Sequence, residues 1–225
     1  MNIENVVRCR IIDMHKILRK TRGRLEKKIL KYKDFTIISN NCWGGWVYRY
    51  YNLPYLSPTV GNFMIAEDYL KFVKNLKYYL NQELIFISSE DANHAEELRK
   101  KVSQFGNYPI GRLGDINIHF LHSKTEEEAR DTWIRRCKRV NYSHIIIKFS
   151  TQNLCTEKDC IEFDDFNFPN KIFFTSHNIN GIRKQIIFKR DIGREETRDE
   201  GNYYHRYINI TKYINSIQNT QKYFL

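Results

Sequence analysis

Residues 35–45, FTIISNNCWGG, set the pattern for most of the chain. Phe35 to Ser39 is a short apolar run, closed at once by Asn40 and Asn41 and then by the pair Gly44-Gly45. An apolar run of this length between turn residues reads as a strand buried on both faces. The same texture returns in ELIFISS (83–89), SHIIIKFS (143–150) and KIFFTS (171–176), and once more in KQIIFKR (184–190). Between these runs the apolar spacing changes to that of helices. Tyr69, Phe72, Val73, Leu76 and Leu80 mark one face, and Ala95, Leu98 and Val102 a second, stopped by Gly106. Thr125 with Glu128 forms a capping-box pattern that opens a third, with Ala129, Trp133, Cys137 and Val140 inward. A last helix is expected over 204–217, after a charge-rich loop at 191–202. Strands alternating with helices predict an α/β fold, a three-layer α/β/α sandwich with a mostly parallel sheet. Two late strands with no helix between them suggest that the sheet is mixed.

Composition narrows the class. The chain has 225 residues, of which 41% are hydrophobic and 28% charged, enough to bury a sizeable core. No apolar stretch approaches the roughly 20 residues that cross a bilayer. The first residues lack the apolar core of a secretion signal. Five cysteines, an odd number, fit reduced thiols and a cytoplasmic setting.

The formal net charge is +11, and its distribution is uneven. Residues 1–33 hold eleven Lys and Arg against Glu4, Asp13 and Glu26, a local +8. Val7, Ile11, Met14, Leu18, Leu25 and Ile29 recur there at helical spacing, with Gly23 as a break. The expected organisation is a basic amphipathic helical segment, 1–33, followed by a single α/β domain, 34–225. Such a segment either packs on the body with a solvated basic face or is drawn to anionic lipid at the inner face of the membrane. Nucleic acid gains no support, because no RNP, zinc-finger or helix-turn-helix pattern is present.

Ligands of open α/β sheets bind beyond the carboxyl ends of the strands. The richest such end is Ser39 to Gly45. Asn40 and Asn41 offer donors and acceptors, and Gly44 and Gly45 would allow a phosphate close to the backbone. Trp43, Trp46 and Tyr48 offer flat surfaces for a sugar ring or a base. Ser57 and Thr59 add two hydroxyls around Pro58, and Glu90 and Asp91 follow the second strand. These eight residues (Asn40, Asn41, Gly44, Gly45, Ser57, Thr59, Glu90 and Asp91) are the candidate ligand contacts. Candidate catalytic groups are His177, placed after a strand as a general base, and Cys42 as a nucleophile, with His119 as another base. No metal site is expected. His119 and His122 fall on opposite faces of a strand, Cys155 and Cys160 lack zinc spacing, and no D-x-D occurs. No cofactor is indicated.

The segment from Phe35 through Leu80 resembles a bacterial family of uncharacterised proteins, DUF1919, whose members are sometimes labelled exopolysaccharide biosynthesis proteins. The resemblance rests on Ser39-Asn-Asn-Cys-Trp-Gly-Gly45 and Tyr55-Leu-Ser-Pro-Thr-Val-Gly61. It continues through Tyr108-Pro-Ile-Gly111, Asp115, His119-Phe-Leu-His122, the segment Trp133 to Arg139 and the strand Lys171 to Ser176. It implies a three-layer α/β/α fold and a surface-polysaccharide context, and it brings no catalytic residues. In that context the first expectation is a metal-independent sugar or nucleotide-sugar transferase. Helix N-termini and basic side chains would then stabilise the leaving diphosphate. The alternatives are an acyltransferase acting on polysaccharide and a non-catalytic protein that binds a glycan precursor or a partner.

Overall fold

The structure, a computed structural model, describes residues 18–224. A four-stranded sheet occupies the centre, in the order β1 (Thr36–Ser39), β5 (Ile145–Ser150), β6 (Lys171–Thr175), β7 (Ile186–Ile187). Every pairing in it is parallel. The apolar runs are therefore continuous, because both faces are covered. Ile38, Ile145, Ile147, Phe149 and Phe173 point to one face. They meet α3 (Ala66–Lys74), α4 (Leu76–Leu80), α6 (Glu126–Cys137) and α7 (Glu157–Asp165) through Tyr69, Phe72, Leu76, Trp133 and Phe163. Ile37, Ile146, Ile172 and Phe174 point to the other. There α2 (Trp43–Tyr51) and α9 (Ile210–Asn215) bring Trp43, Val47, Tyr51 and Ile214, and Tyr204 follows the short α8 (Glu200–Tyr203). Helices thus flank the sheet on both sides, as the alternation of elements predicts.

The second expected strand departs from that plan. ELIFISS forms β2 (Ile85–Ile87), which joins a separate antiparallel sheet with β3 (Ile110–Leu113) and β4 (Ile116–His119). Gly114, at φ +59°, turns the tight hairpin between the last two. β2 is half-exposed where β1 and β5 are fully buried, so an apolar run alone did not report its partner. The mixed character expected of one sheet is divided between two sheets, one wholly parallel and one wholly antiparallel. α5 (Ala95–Lys101) is shorter than its apolar spacing suggests, and the helix expected over 204–217 is broken before Ile210.

β1 is an edge strand, and its outward backbone groups are closed by side chains. Tyr48 Oη accepts from Ile37 N at 2.9 Å, and Thr59 Oγ1 accepts from Ser39 N at 3.1 Å. Ser57 Oγ supports Thr59 at 3.0 Å. An edge capped in this way offers no free ladder to another chain.

Residues 18–28 are helical and form α1, with Gly23 inside the helix rather than breaking it. A Cβ at Gly23 would stand 1.9 Å from the Tyr50 carbonyl oxygen, so glycine is what lets α1 lie against α2. Arg19 Nη2 donates to Gly201 O at 2.8 Å and Lys27 Nζ to Asn52 O at 2.9 Å. The part of the expected basic segment before residue 18 lies outside the described residues.

Candidate functional site

The carboxyl ends of β1 and β5 lie side by side, and a polar cluster closes over them. Lys148, two residues before the end of β5, has no exposed surface. Its parity in the strand sends it to the Ile146 face, among the rings of Trp43 and Phe174, at 6.0 and 5.2 Å. Its ammonium donates to Ser150 Oγ at 2.9 Å, to Asn41 Oδ1 at 3.2 Å and to the carboxylate of Glu200, which is itself buried. Burial pulls the Lys148 pKa below its usual value, and the Glu200 carboxylate acts in the opposite direction. Glu200 lies within the segment read as a charge-rich loop. It begins α8, and Thr197 Oγ1 donates to its other oxygen at 2.6 Å.

Asn41 is the hub of this cluster. Its amide nitrogen donates to Gln152 Oε1 at 2.7 Å, Glu200 Oε2 at 3.0 Å and Ser150 Oγ at 3.3 Å. Its oxygen accepts from Trp43 N at 3.1 Å, which fixes the start of α2. Asn40 is fully buried, donates to Ser150 O at 3.2 Å, and its backbone oxygen accepts from Asn153 Nδ2 at 3.0 Å. Both amides are committed to the protein, so they position the loop. Gly44 and Gly45 lie in the first turn of α2 rather than in an open loop. A Cβ would stand 3.2 Å from Ile37 Cγ2 at Gly44 and 3.0 Å from Val60 Cγ1 at Gly45, so the pair sets how closely the helix packs. Ser57 and Thr59 belong to the edge of β1. Glu90 and Asp91 sit on a 3-10 turn after β2, in the other sheet, away from the β1 and β5 rim.

The open face of the site lies beside the start of α2. A pocket of about 390 Å³ is lined by Cys42, Gly45, Trp46 and Arg49 from that region. Tyr55 and Val60 to Asn62 line it from the following loop, and His122, Ser123, Glu128, Thr132 and Arg136 from the start and flank of α6. Arg49 stacks over Trp46 with its guanidinium 4.3 Å from the ring, and Arg136 lies 5.1 Å from the Tyr55 ring. Arg136 also donates to Val60 O. Burial and the neighbouring Arg135 and Arg139 bring the Arg136 pKa below its ordinary value. No acidic side chain stands in the first turn of α2 to offset its dipole. Two guanidinium groups and an indole ring therefore line one cavity together with Glu128 and His122, and α2 borders it by its flank, through Cys42, Gly45, Trp46 and Arg49.

Of the residues singled out from sequence, the pocket holds Cys42, Gly45 and Trp46. Burial pushes the Cys42 thiol up to about 11, and the thiol lies 3.8 Å from Asn62 O. A protonated thiol is a poor nucleophile. Trp43 and Tyr48 are core residues. His119 is enclosed between Phe63, 4.4 Å away and stacked, and the edges of Tyr108 and Phe105. Burial holds its imidazole down at about 3, so it is neutral and shut away from the pocket. His177 stands at the end of β6, with Nδ1 3.0 Å from Ser176 Oγ. Sequence reasoning missed Lys148, Glu200, Arg49 and Arg136. A lysine inside the run HIIIKFS was the one signal in the text for the first of these.

The family model described as a domain of unknown function, DUF1919, matches residues 13–223. An uncharacterized protein of Haemophilus influenzae is 31% identical over 172 residues, which cover 72% of this chain and 76% of that protein.

Proposed function

The chain belongs to the DUF1919 family, and we propose that it is a metal-independent transferase of the sugar or nucleotide-sugar class, in surface-polysaccharide biosynthesis. The observation that carries this reading is the convergence of Arg49 and Arg136 on a single cavity with an aromatic wall. Guanidinium groups grip phosphate oxygens in a fork. A diphosphate leaving group would gain negative charge as its bond to the sugar breaks, and groups already fixed in place stabilise that charge most. Trp46 and Tyr55 supply faces for a sugar ring. Glu128 and His122 are the groups in the cavity able to take a proton from an acceptor hydroxyl. The polysaccharide context comes from the resemblance of the sequence motifs. The protonated state of Cys42 speaks against acyl transfer through that thiol.

Binding of a panel of nucleoside diphosphate sugars to the purified chain, followed by calorimetry, tests the reading. Arg49→Ala and Arg136→Ala should each weaken binding about tenfold or more while the fold is retained. Transfer from a radiolabelled donor separates an enzyme from a binding protein. Binding without turnover would leave the non-catalytic alternative. Absence of binding, or binding indifferent to both arginines, would remove the proposal.

A further inference from the structure

α1 packs on the body with one face and leaves a different, apolar face outside. Gly23, Glu26 and Leu30 face inward: Gly23 lies on the Tyr50 carbonyl, Glu26 accepts from Thr211 Oγ1, and Leu30 is buried. Leu18, Leu25 and Ile29 are 64%, 59% and 66% exposed. Leu18 and Leu25 are seven residues, close to two helical turns, apart on α1, and Ile29 follows in the turn that ends it, so the three exposed side chains give α1 an apolar outer side. The apolar periodicity that predicts a helix here is therefore not the face by which the helix docks. Thr21, Arg24 and Lys28 are exposed along one edge of that side, and Arg22 along the other. Residues 18–33 carry eight cations against Glu26 alone.

An exposed apolar side bordered by cations on a helix that is already formed suits the boundary between headgroups and acyl chains of an anionic bilayer. A second copy would bring like charges together over the same contact, and nucleic acid would leave the leucines and isoleucine in water. No helix among the described residues is long and apolar enough to cross a membrane. We propose that the outer face of α1 is a docking surface for anionic lipid, with Leu18, Leu25 and Ile29 entering the interface and the flanking arginines and lysines meeting the headgroups. The chain would lie on the membrane through an element fastened to α2, the helix whose first turns border the pocket.

The full chain is tested by flotation with phosphatidylcholine vesicles with and without phosphatidylglycerol. Binding should need the anionic lipid and weaken with salt. The double variant Leu25→Ser, Ile29→Ser should lose about tenfold or more in partitioning. Arg24→Gln with Lys28→Gln should lose on the order of fivefold per cation. Both replace exposed side chains, so their thermal melts should match that of the parent. Equal flotation of parent and Leu25→Ser, Ile29→Ser would overturn the proposal. So would an absence of flotation, or a dimer in light scattering that this variant dissolves.

Discussion

Lys148 and Glu200, 52 residues apart, form an ion pair closed off from solvent at the carboxyl end of β5. The pair fastens α8 to the central sheet and supports Asn41, which in turn fixes Trp43 N and the start of α2. Removing two charges from water is costly. Their attraction offsets that cost only when the remaining polar atoms are also satisfied, as Ser150, Asn41 and Thr197 satisfy them here.

Breaking one side of this pair should therefore cost more than removing both. Glu200→Gln or Lys148→Met alone is expected to lower unfolding stability by about 3–5 kcal/mol, with Lys148→Met plus Glu200→Leu recovering part of the loss. Asn40→Ala, which removes a buried amide bonded to Ser150 O, should cost about 1–3 kcal/mol. Urea denaturation of the set measures these differences. Equal stability of parent and Glu200→Gln would contradict the role assigned to the pair.

Two buried groups near the antiparallel sheet give opposite pH dependences. His119 is held down at about 3 from 6.5, so the unfolded chain binds its proton first and stability is lost as pH falls below about 6.5. Asp68, which accepts from Asn117 N at 2.9 Å and Asn93 Nδ2 at 3.0 Å, is pushed up to about 6 from 3.8 by burial. The folded chain binds that proton first, so stability is lost as pH rises from about 4 to about 6. His119→Phe fills the same aromatic box without a titrating group. The variant should gain on the parent by about 2 kcal/mol between about pH 8 and about pH 5. Asp68→Asn should change the slope in the other direction. Parallel stability curves for parent and His119→Phe would refute the assignment.

Much of the scaffold was legible in the text, because buried parallel strands read as apolar runs and Thr125, whose side chain accepts from Glu128 N, marks the start of α6. What local pattern does not encode is which strand pairs with which, so β2 went to the wrong sheet. The site was only partly legible. Asn40 and Asn41 mark the strand end that lies next to the pocket, and their polar atoms are spent holding it. Arg49 and Arg136 come from α2 and α6, 87 residues apart, and each looks like an ordinary solvated cation until the fold brings both to one cavity. Glu200 was hidden among neighbouring charges. Only its burial sets it apart.

The thiol of Cys42 gives a direct check on the chemistry of the pocket. With its pKa raised to about 11, it should react with thiol reagents at neutral pH far more slowly than a free cysteine. Cys42→Ser should bind and turn over any nucleotide sugar as the parent does. If instead the parent turns over an acyl donor and Cys42→Ser binds that donor and loses all transfer, Cys42 is a nucleophile and the acyl-transfer reading takes over.

Gly201 links three elements through one small residue. Its carbonyl accepts from Arg19 of α1, and a Cβ built on it would fall 2.3 Å from Trp46 Cδ1 and 2.4 Å from Trp46 Nε1. Glu200, its neighbour, is bonded to Lys148 and cannot retreat without opening the buried pair. The ring of Trp46 must therefore give way, and its other side borders the pocket beside Arg49. Gly201→Ala is expected to cost about 1–3 kcal/mol by overpacking and to shift the Trp46 part of the fluorescence, read against Trp46→Phe as a blank. Trp46→Leu in the same chain should restore most of the stability and leave the pocket without its aromatic wall. Nucleotide-sugar affinity should then fall while the melt recovers, which separates the packing role of Trp46 from its proposed contact with ligand. A Gly201→Ala chain with the parent's melt and fluorescence would mean that α8 can move freely. The tie between the buried pair and the pocket would then fail.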